Sequence, residues 1–161
     1  VRGFESQHAG FLTSAQWIAA AVGATAGGLL CDALCRRYGM LRGCRWPAMF
    51  GVTLSGLFLL AGSLSDSAYV AVACLAASFL FNQLTEGAFW AAGIAIGGRH
   101  AAAACGVMNT GGNAAGFINA LLVPFTASTL GWTAALITGT AFAFASAVLW
   151  LFIRTDQPVA D

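Results

Sequence analysis

Apolar residues along the chain fall into five long blocks instead of alternating with polar residues. The blocks cover about residues 10–30, 47–64, 68–97, 102–128 and 133–153. Each is close to the roughly 20 residues that an α-helix needs to cross the hydrocarbon core of a bilayer. Transmembrane strands would alternate with period two, and these blocks do not. The pattern predicts an all-α integral membrane protein with five transmembrane helices.

The composition agrees with a membrane setting. The 161 residues are 59% hydrophobic and 8% charged, whereas a soluble domain has about 25% charged residues. Lysine is absent, arginine supplies all seven basic residues, and the net charge is +1. Nothing in this charge balance favours binding to nucleic acid.

The charged residues between the blocks predict an orientation in the cell (inner) membrane. One side of the membrane would hold Arg36, Arg37, Arg42, Arg45, Arg99 and Arg154. The other side would hold Arg2 with Glu5 and Asp66. By the positive-inside rule the arginine-rich side is cytoplasmic, which places the N-terminus outside and the C-terminus inside.

The start of the chain, VRGFESQHAG, is polar and does not resemble a signal peptide. We expect these residues to form a loop. An outside N-terminus without a signal predicts at least one more helix upstream, so we expect the chain to be a piece of a longer protein.

A motif follows the first block, in the stretch GGLLCDALCRRYG. Gly28 allows another helix to approach closely. Asp32 can accept backbone N–H bonds at a helix N-terminus or pair with an arginine. Arg36 and Arg37 can anchor the connection at the cytoplasmic face, and Gly39 permits a sharp reversal.

This stretch resembles motif A of the major facilitator superfamily, G-x-x-x-D-x-x-x-R-R-x-G. In that family the motif lies between helices two and three and recurs between helices eight and nine. Four predicted helices follow it here, which fits the second copy. The runs GFLTSAQWIAAAVGATAGGLL, TEGAFWAAGIAIGG and GVMNTGGNAAGF resemble the anion:cation symporter branch, although Gln16 replaces a frequent proline.

The resemblance implies that residues 1–161 form most of a C-terminal six-helix half. In the family two such halves rock about a site at the bilayer midplane and give alternating access. The resemblance also implies that the partner of Asp32 lies in the missing N-terminal half.

The third block carries polar residues on one helix face. Glu86 is its only carboxylate, and Asn82, Gln83 and Trp90 lie at positions i−4, i−3 and i+4 from it. Such a face is expected to line the bundle interior or a cavity. The chain has no arginine or lysine at membrane depth. We therefore expect Glu86 to bind a proton, to pair with a cation of the missing half, or to bond to neutral neighbours in a purely structural role.

In the fourth block, Asn109, Gly112, Asn113 and Gly116 share a face. The two glycines permit close helix contact, and the two asparagines are expected to face the cavity or another helix. Pro124 is expected to bend the outer half of this helix.

The cysteines do not indicate a metal site. Cys31, Cys35 and Cys44 lie near one another in sequence, but neither a paired knuckle nor a nearby histidine accompanies them. We expect no metal and no cofactor.

These features and the resemblance predict a proton-coupled secondary transporter that moves small organic anions, such as sugar acids or other carboxylates. A protonated Glu86 would donate a hydrogen bond to such an anion, whereas an ionised one would repel it. The expected partners of the protein are the substrate, a proton, lipid and the missing half.

Two alternatives to this function are open. A carrier of neutral sugars or a drug exporter would have the same fold, and a membrane scaffold is an alternative of another class. The chain lacks H-E-x-x-H, G-x-S-x-G and lysine, so an enzyme is not expected.

Overall fold

The computed structural model describes residues 6–157, with side chains from residue 13 onward. Its helices are α1 (Ser6–Ser63), α2 (Ala68–Leu84), α3 (Glu86–Gly97), α4 (Ala101–Leu130) and α5 (Trp132–Leu149), with a short 3₁₀ turn at Gly98–His100. Residues 6–157 contain no β-strand. The prediction of an all-α chain is therefore confirmed for this range.

Within the same range, three continuous helical stretches are long and apolar enough to cross a membrane. They are Thr13–Ser63, Ala68–Leu130 and Trp132–Leu149. Gly39 divides the first stretch, and Thr85 and the 3₁₀ turn at Gly98–His100 divide the second.

Helix α1 reverses direction at Gly39. This residue has φ 81° and ψ 166°, a conformation that glycine adopts without a steric penalty. A Cβ atom on Gly43 would lie 2.5 Å from the Cα of Cys35, although eight residues of straight α-helix span about 12 Å. The chain therefore folds back on itself, and we call residues 6–38 arm 1A and residues 40–63 arm 1B.

The connection around this reversal differs from the loop expected between the first two blocks. Residues 31–46 are helical apart from Gly39. Arginine, leucine, methionine and alanine, which are strong helix formers, make up eight of these sixteen residues, so the helix continues beyond the end of the apolar block. The polar residues 6–9 are likewise helical where a loop was expected, while Arg2 and Glu5 lie outside the described residues.

The third apolar block contains a local tightening at Thr85. Helix α2 ends at Leu84 and α3 begins at Glu86. The backbone N–H and the hydroxyl of Thr85 both donate to the carbonyl oxygen of Asn82, at 3.1 and 2.7 Å. The i→i+3 backbone bond is typical of a 3₁₀ turn, and such turns inside helices often mark hinges. The expected single helix over residues 68–97 is thus two helices joined at Thr85.

The last two helices match their apolar blocks more closely. Gly131, with φ 89°, separates α4 from α5. Pro124 lies inside α4 and does not end it. Helix α5 stops at Leu149 instead of about residue 153, and turns follow it.

Arm 1A packs against α2 and α3 through direct backbone contact. A Cβ atom on Gly23 would collide with the carbonyl oxygen of Leu80, and one on Gly27 would collide with that of Leu84. Small residues allow this approach, which is how helices associate in lipid, where apolar side chains gain nothing from leaving the solvent.

The same backbone contact continues into α3, and arm 1B covers a second side of the helix pair. A Cβ atom on Gly87 would lie 2.7 Å from the Cα of Gly28. On arm 1B, a Cβ atom on Gly51 would lie 2.6 Å from Cγ2 of Thr85. Helices α2 and α3 therefore contact both arms of α1.

The C-terminal end of α5 meets the reversal of α1. The guanidinium of Arg45 donates a hydrogen bond to the carbonyl oxygen of Ile153 at 2.8 Å. Beyond it, Arg154 makes a two-pronged contact with Asp156 at 3.1 Å. These hydrogen bonds from Arg154 lower the pKa of the Asp156 carboxyl below its ordinary value. The reversal of α1 and the segment after α5, which both carry arginines, thus lie at the same end of the bundle.

Helix α4 lies at the edge of the fold and contacts α3 and α5. Its residues 109–121 are exposed throughout. A Cβ atom on Gly112 or Gly116 would meet no other atom within 4 Å. The glycine pair therefore makes no close helix contact in the described part of the chain.

We expect Gly27→Ala to destabilise the protein because its new methyl group collides with the carbonyl of Leu84. The loss should be about 1–3 kcal/mol, as for other overpacked helix contacts. The measurement is unfolding of the purified protein by denaturant titration in mixed micelles.

The matched control is Gly28→Ala, since a Cβ atom on Gly28 meets open space. Its stability should stay constant or rise by up to about 1 kcal/mol. Equal losses in the two variants would contradict the packing described here.

Candidate functional site

The polar residues of α2 and α3 form a stripe that spans the tightening at Thr85. Asn82, Glu86 and Trp90 are exposed, and Gln83 is half-buried. We call Asn82, Gln83, Glu86 and Trp90 the polar stripe. Its members share a helix face as expected, and the structure adds that the helix geometry changes within the stripe.

The opposite side of the helix pair packs into the fold. Leu84 and Ala88 are buried, and Phe81 stacks on Phe58 with ring centroids 5.5 Å apart. Because the apolar side meets α1, the stripe is turned away from the packed part of the described residues. An open polar face at membrane depth needs water, substrate or another protein surface to satisfy it.

Glu86 has a specific partner within the stripe. The indole Nε1–H of Trp90 donates a hydrogen bond to Oε1 of Glu86 at 2.8 Å. Of the three kinds of partner expected for Glu86, a neutral neighbour is the one seen in the described residues. No hydrogen bond joins Glu86 to the side chain of Asn82 or Gln83 there. A carboxyl held through one oxygen keeps its second oxygen for a proton or a ligand.

The asparagines of α4 do not contact this stripe through hydrogen bonds among the described residues. Asn113 donates from Nδ2 to the backbone carbonyl of Asn109 at 2.9 Å, within its own helix. Both side chains are exposed. The fourth helix therefore presents a second open polar face, separate from the first.

The motif residues lie around the reversal of α1. Asp32, Arg36 and Arg37 are exposed. No ion pair joins Asp32 to an arginine in residues 13–157. The guanidinium of Arg37 lies 5.3 Å from the ring centroid of Tyr38. Only Gly28 is in close contact, through Gly87 of α3.

Three cysteines converge beside this reversal, which the sequence interpretation did not anticipate. Sγ of Cys35 lies 3.8 Å from that of Cys31 and 3.9 Å from that of Cys44. Cys31 and Cys44 are buried, and Cys35 is half-buried. The sequence does place Cys31 and Cys35 one helical turn apart, followed by Gly39, which can reverse a helix. The spacing alone does not show that the reversal brings Cys44 back to these two cysteines.

Comparison with known proteins shows that this chain is similar in sequence to a transporter. No family model matches it. It is 35% identical over 119 residues to the probable sulfoacetate transporter SauU of Cupriavidus necator. The aligned part is 73% of this chain and 28% of that protein, so the chain spans less than a third of its relative. Together with the apolar helices, this similarity identifies a multi-pass membrane protein related to a transporter.

We expect Trp90 and Glu86 to be energetically coupled, since they share a hydrogen bond. A double-mutant cycle with Trp90→Phe and Glu86→Ala should give a coupling of about 1 kcal/mol in the free energy of unfolding. The matched control pairs Asn82→Ala with Glu86→Ala, which have the same i, i+4 spacing without a hydrogen bond. Its coupling should stay below about 0.5 kcal/mol. Equal couplings in the two cycles would show that the Trp90 bond contributes nothing specific.

Proposed function

We propose that this chain is part of a secondary transporter for small organic anions, with sulfonates and carboxylates as the substrate class. The observation that carries the proposal is the 35% identity to a probable sulfoacetate transporter over 73% of the chain. The long apolar helices and the open polar stripe support it. The proposed architecture is most of the C-terminal half of a major facilitator fold, in its anion:cation symporter branch.

In this proposal the chain crosses the membrane five times. Arms 1A and 1B would be two crossings, α2 with α3 a third, and α4 and α5 the remaining two. The arginine-rich end would be cytoplasmic by the positive-inside rule. The contact between Arg45 and the end of α5 supports a shared side for these connections.

The polar stripe would line the transport cavity, with the open asparagines of α4 as a second wall. No cation faces Glu86 from the described residues, so the positive charge that attracts an anion would come from the other half of the protein. A protonated Glu86 would donate a hydrogen bond from its hydroxyl to an anionic oxygen, while Trp90 holds the other carboxyl oxygen. Loss of the proton would leave a carboxylate that repels the anion. Proton binding would thus favour substrate binding, which is the linkage that a symporter needs.

Alternating access would require the helices to change their relative positions. Thr85 joins two helices beside Glu86, where a small change in backbone angles would move α3 relative to α2. Asp32 and the paired arginines would bind the other half at the cytoplasmic end in one state and release it in the other. The lack of an ion pair for Asp32 in the described residues is compatible with a partner elsewhere.

The substrate class is tested by uptake into proteoliposomes that contain the full-length protein. Sulfoacetate, a small monocarboxylate and a neutral sugar would be compared with and without an acidic outside pH. We expect uptake of at least one anion above empty liposomes, faster with the pH gradient, and no uptake of the sugar. Transport of the sugar alone would favour the neutral-sugar alternative. Failure of all three substrates would overturn the proposal for this class.

Glu86→Gln tests the proton step in the same assay. The amide keeps an oxygen that can accept the Trp90 bond, but it cannot exchange a proton. We expect the stimulation of uptake by acidic outside pH to fall about fivefold or more, in the range of typical coupling free energies. Asp66→Asn removes a carboxylate outside the helices and should leave the stimulation unchanged. Normal pH dependence in Glu86→Gln would leave Glu86 with a structural role.

A further inference from the structure

We propose that Cys31, Cys35 and Cys44 form a binding site for a soft, thiophilic metal ion, with Cu(I) as the fitting species. The three Sγ atoms lie within 4.8 Å of one another. They come from both arms of α1 and meet at its reversal. This inference does not depend on the proposed transport function.

The sulfur spacing suits direct coordination. Ligand sulfurs at about 2.3 Å from a metal ion lie roughly 3.8–4.0 Å apart in tetrahedral or trigonal arrangements. The distances from Cys35 to Cys31 and to Cys44, 3.8 and 3.9 Å, fall in this range. Little movement of the side chains is needed to close the site around an ion.

The backbone around the site already holds the three cysteines close together. Gly39 reverses the helix, and Gly43 allows arm 1B to lie directly against Cys35, since any side chain at that position would collide with it. Cys31 and Cys35 are one helical turn apart on arm 1A, so their side chains project from the same face. Ligands placed on regular helices are held more precisely than ligands on loops.

The number of ligands selects the ion. In the described part of the chain this group has no fourth cysteine, histidine or carboxylate. Structural zinc sites are almost always four-coordinate. Soft thiolate ligands suit Cu(I), zinc and iron–sulfur clusters. Iron–sulfur clusters take four cysteines, so a three-sulfur site fits Cu(I), an ion that accepts low coordination.

Apolar residues cover the buried side of the site. Ala48, Ala88, Ala92 and Trp150 are buried in the same cluster as Cys31 and Cys44.

Binding would involve no change of oxidation state. Each thiol that ligates loses its proton to water as a sulfur–copper bond forms, so affinity should rise with pH. The bound ion would tie arm 1A to arm 1B across the reversal and stabilise this end of the bundle.

The test uses the purified protein, reduced and kept without oxygen. Cu(I) would be titrated against a chromophoric chelator in the wild-type protein and in Cys35→Ser. We expect the wild type to bind one more Cu(I) tightly than the variant, or to bind it about 100-fold more strongly. Cys74→Ser and Cys105→Ser remove cysteines outside the cluster and should match the wild type. Equal binding by the wild type and Cys35→Ser, or an equal loss in Cys74→Ser, would overturn the site.

A second measurement avoids reliance on variants that fail to fold. Cu(I) should slow alkylation of the three clustered thiols in the wild-type protein, as read by mass spectrometry, and spare the reaction of Cys74 and Cys105. X-ray absorption should show about three sulfur ligands at about 2.3 Å. Unprotected thiols in the cluster, or nitrogen and oxygen ligation, would refute the assignment.

Discussion

The contact between arm 1A and the helix pair α2–α3 is the constraint on which the rest of the fold depends. Gly23 and Gly27 bring arm 1A against the backbone of α2, and Gly28 continues the contact to Gly87 of α3. In lipid, apolar side chains gain little by leaving one apolar environment for another, so close packing carries the association. The fold has a core of small residues accordingly, and many large apolar side chains point outward.

This contact determines which face of α2 and α3 stays open. Because Leu84 and Ala88 are buried against α1, the polar residues on the other side of the helix remain exposed. The same geometry places the tightening at Thr85 beside Glu86. A carboxyl group, a hydrogen-bonded indole and a 3₁₀ turn within the helix therefore occur together.

The reversal of α1 brings together the parts of the chain that carry most of its polar chemistry outside the stripe. The motif residues, the three-cysteine cluster and the Arg45 contact to the end of α5 all lie at this end of the bundle. One glycine with a positive φ makes this arrangement possible. Binding of a metal by the cysteines would act on the same joint that the motif residues surround.

The sequence by itself determined the class of the protein, the approximate extent of its apolar helices and the residues of the polar stripe. Hydropathy and the 3.6-residue period are properties of short segments, so they can be judged without the fold. Helix ends were less certain, because strong helix formers continued the helix through residues 31–46 after the apolar block had ended. The tertiary structure alone decided that Trp90 bonds to Glu86, that the Gly112–Gly116 face stays open, and that Cys44 returns to Cys31 and Cys35. Each of these depends on the reversal angle, the packing partner or the side-chain direction, which are set by contacts between segments and not by the order of residues within one.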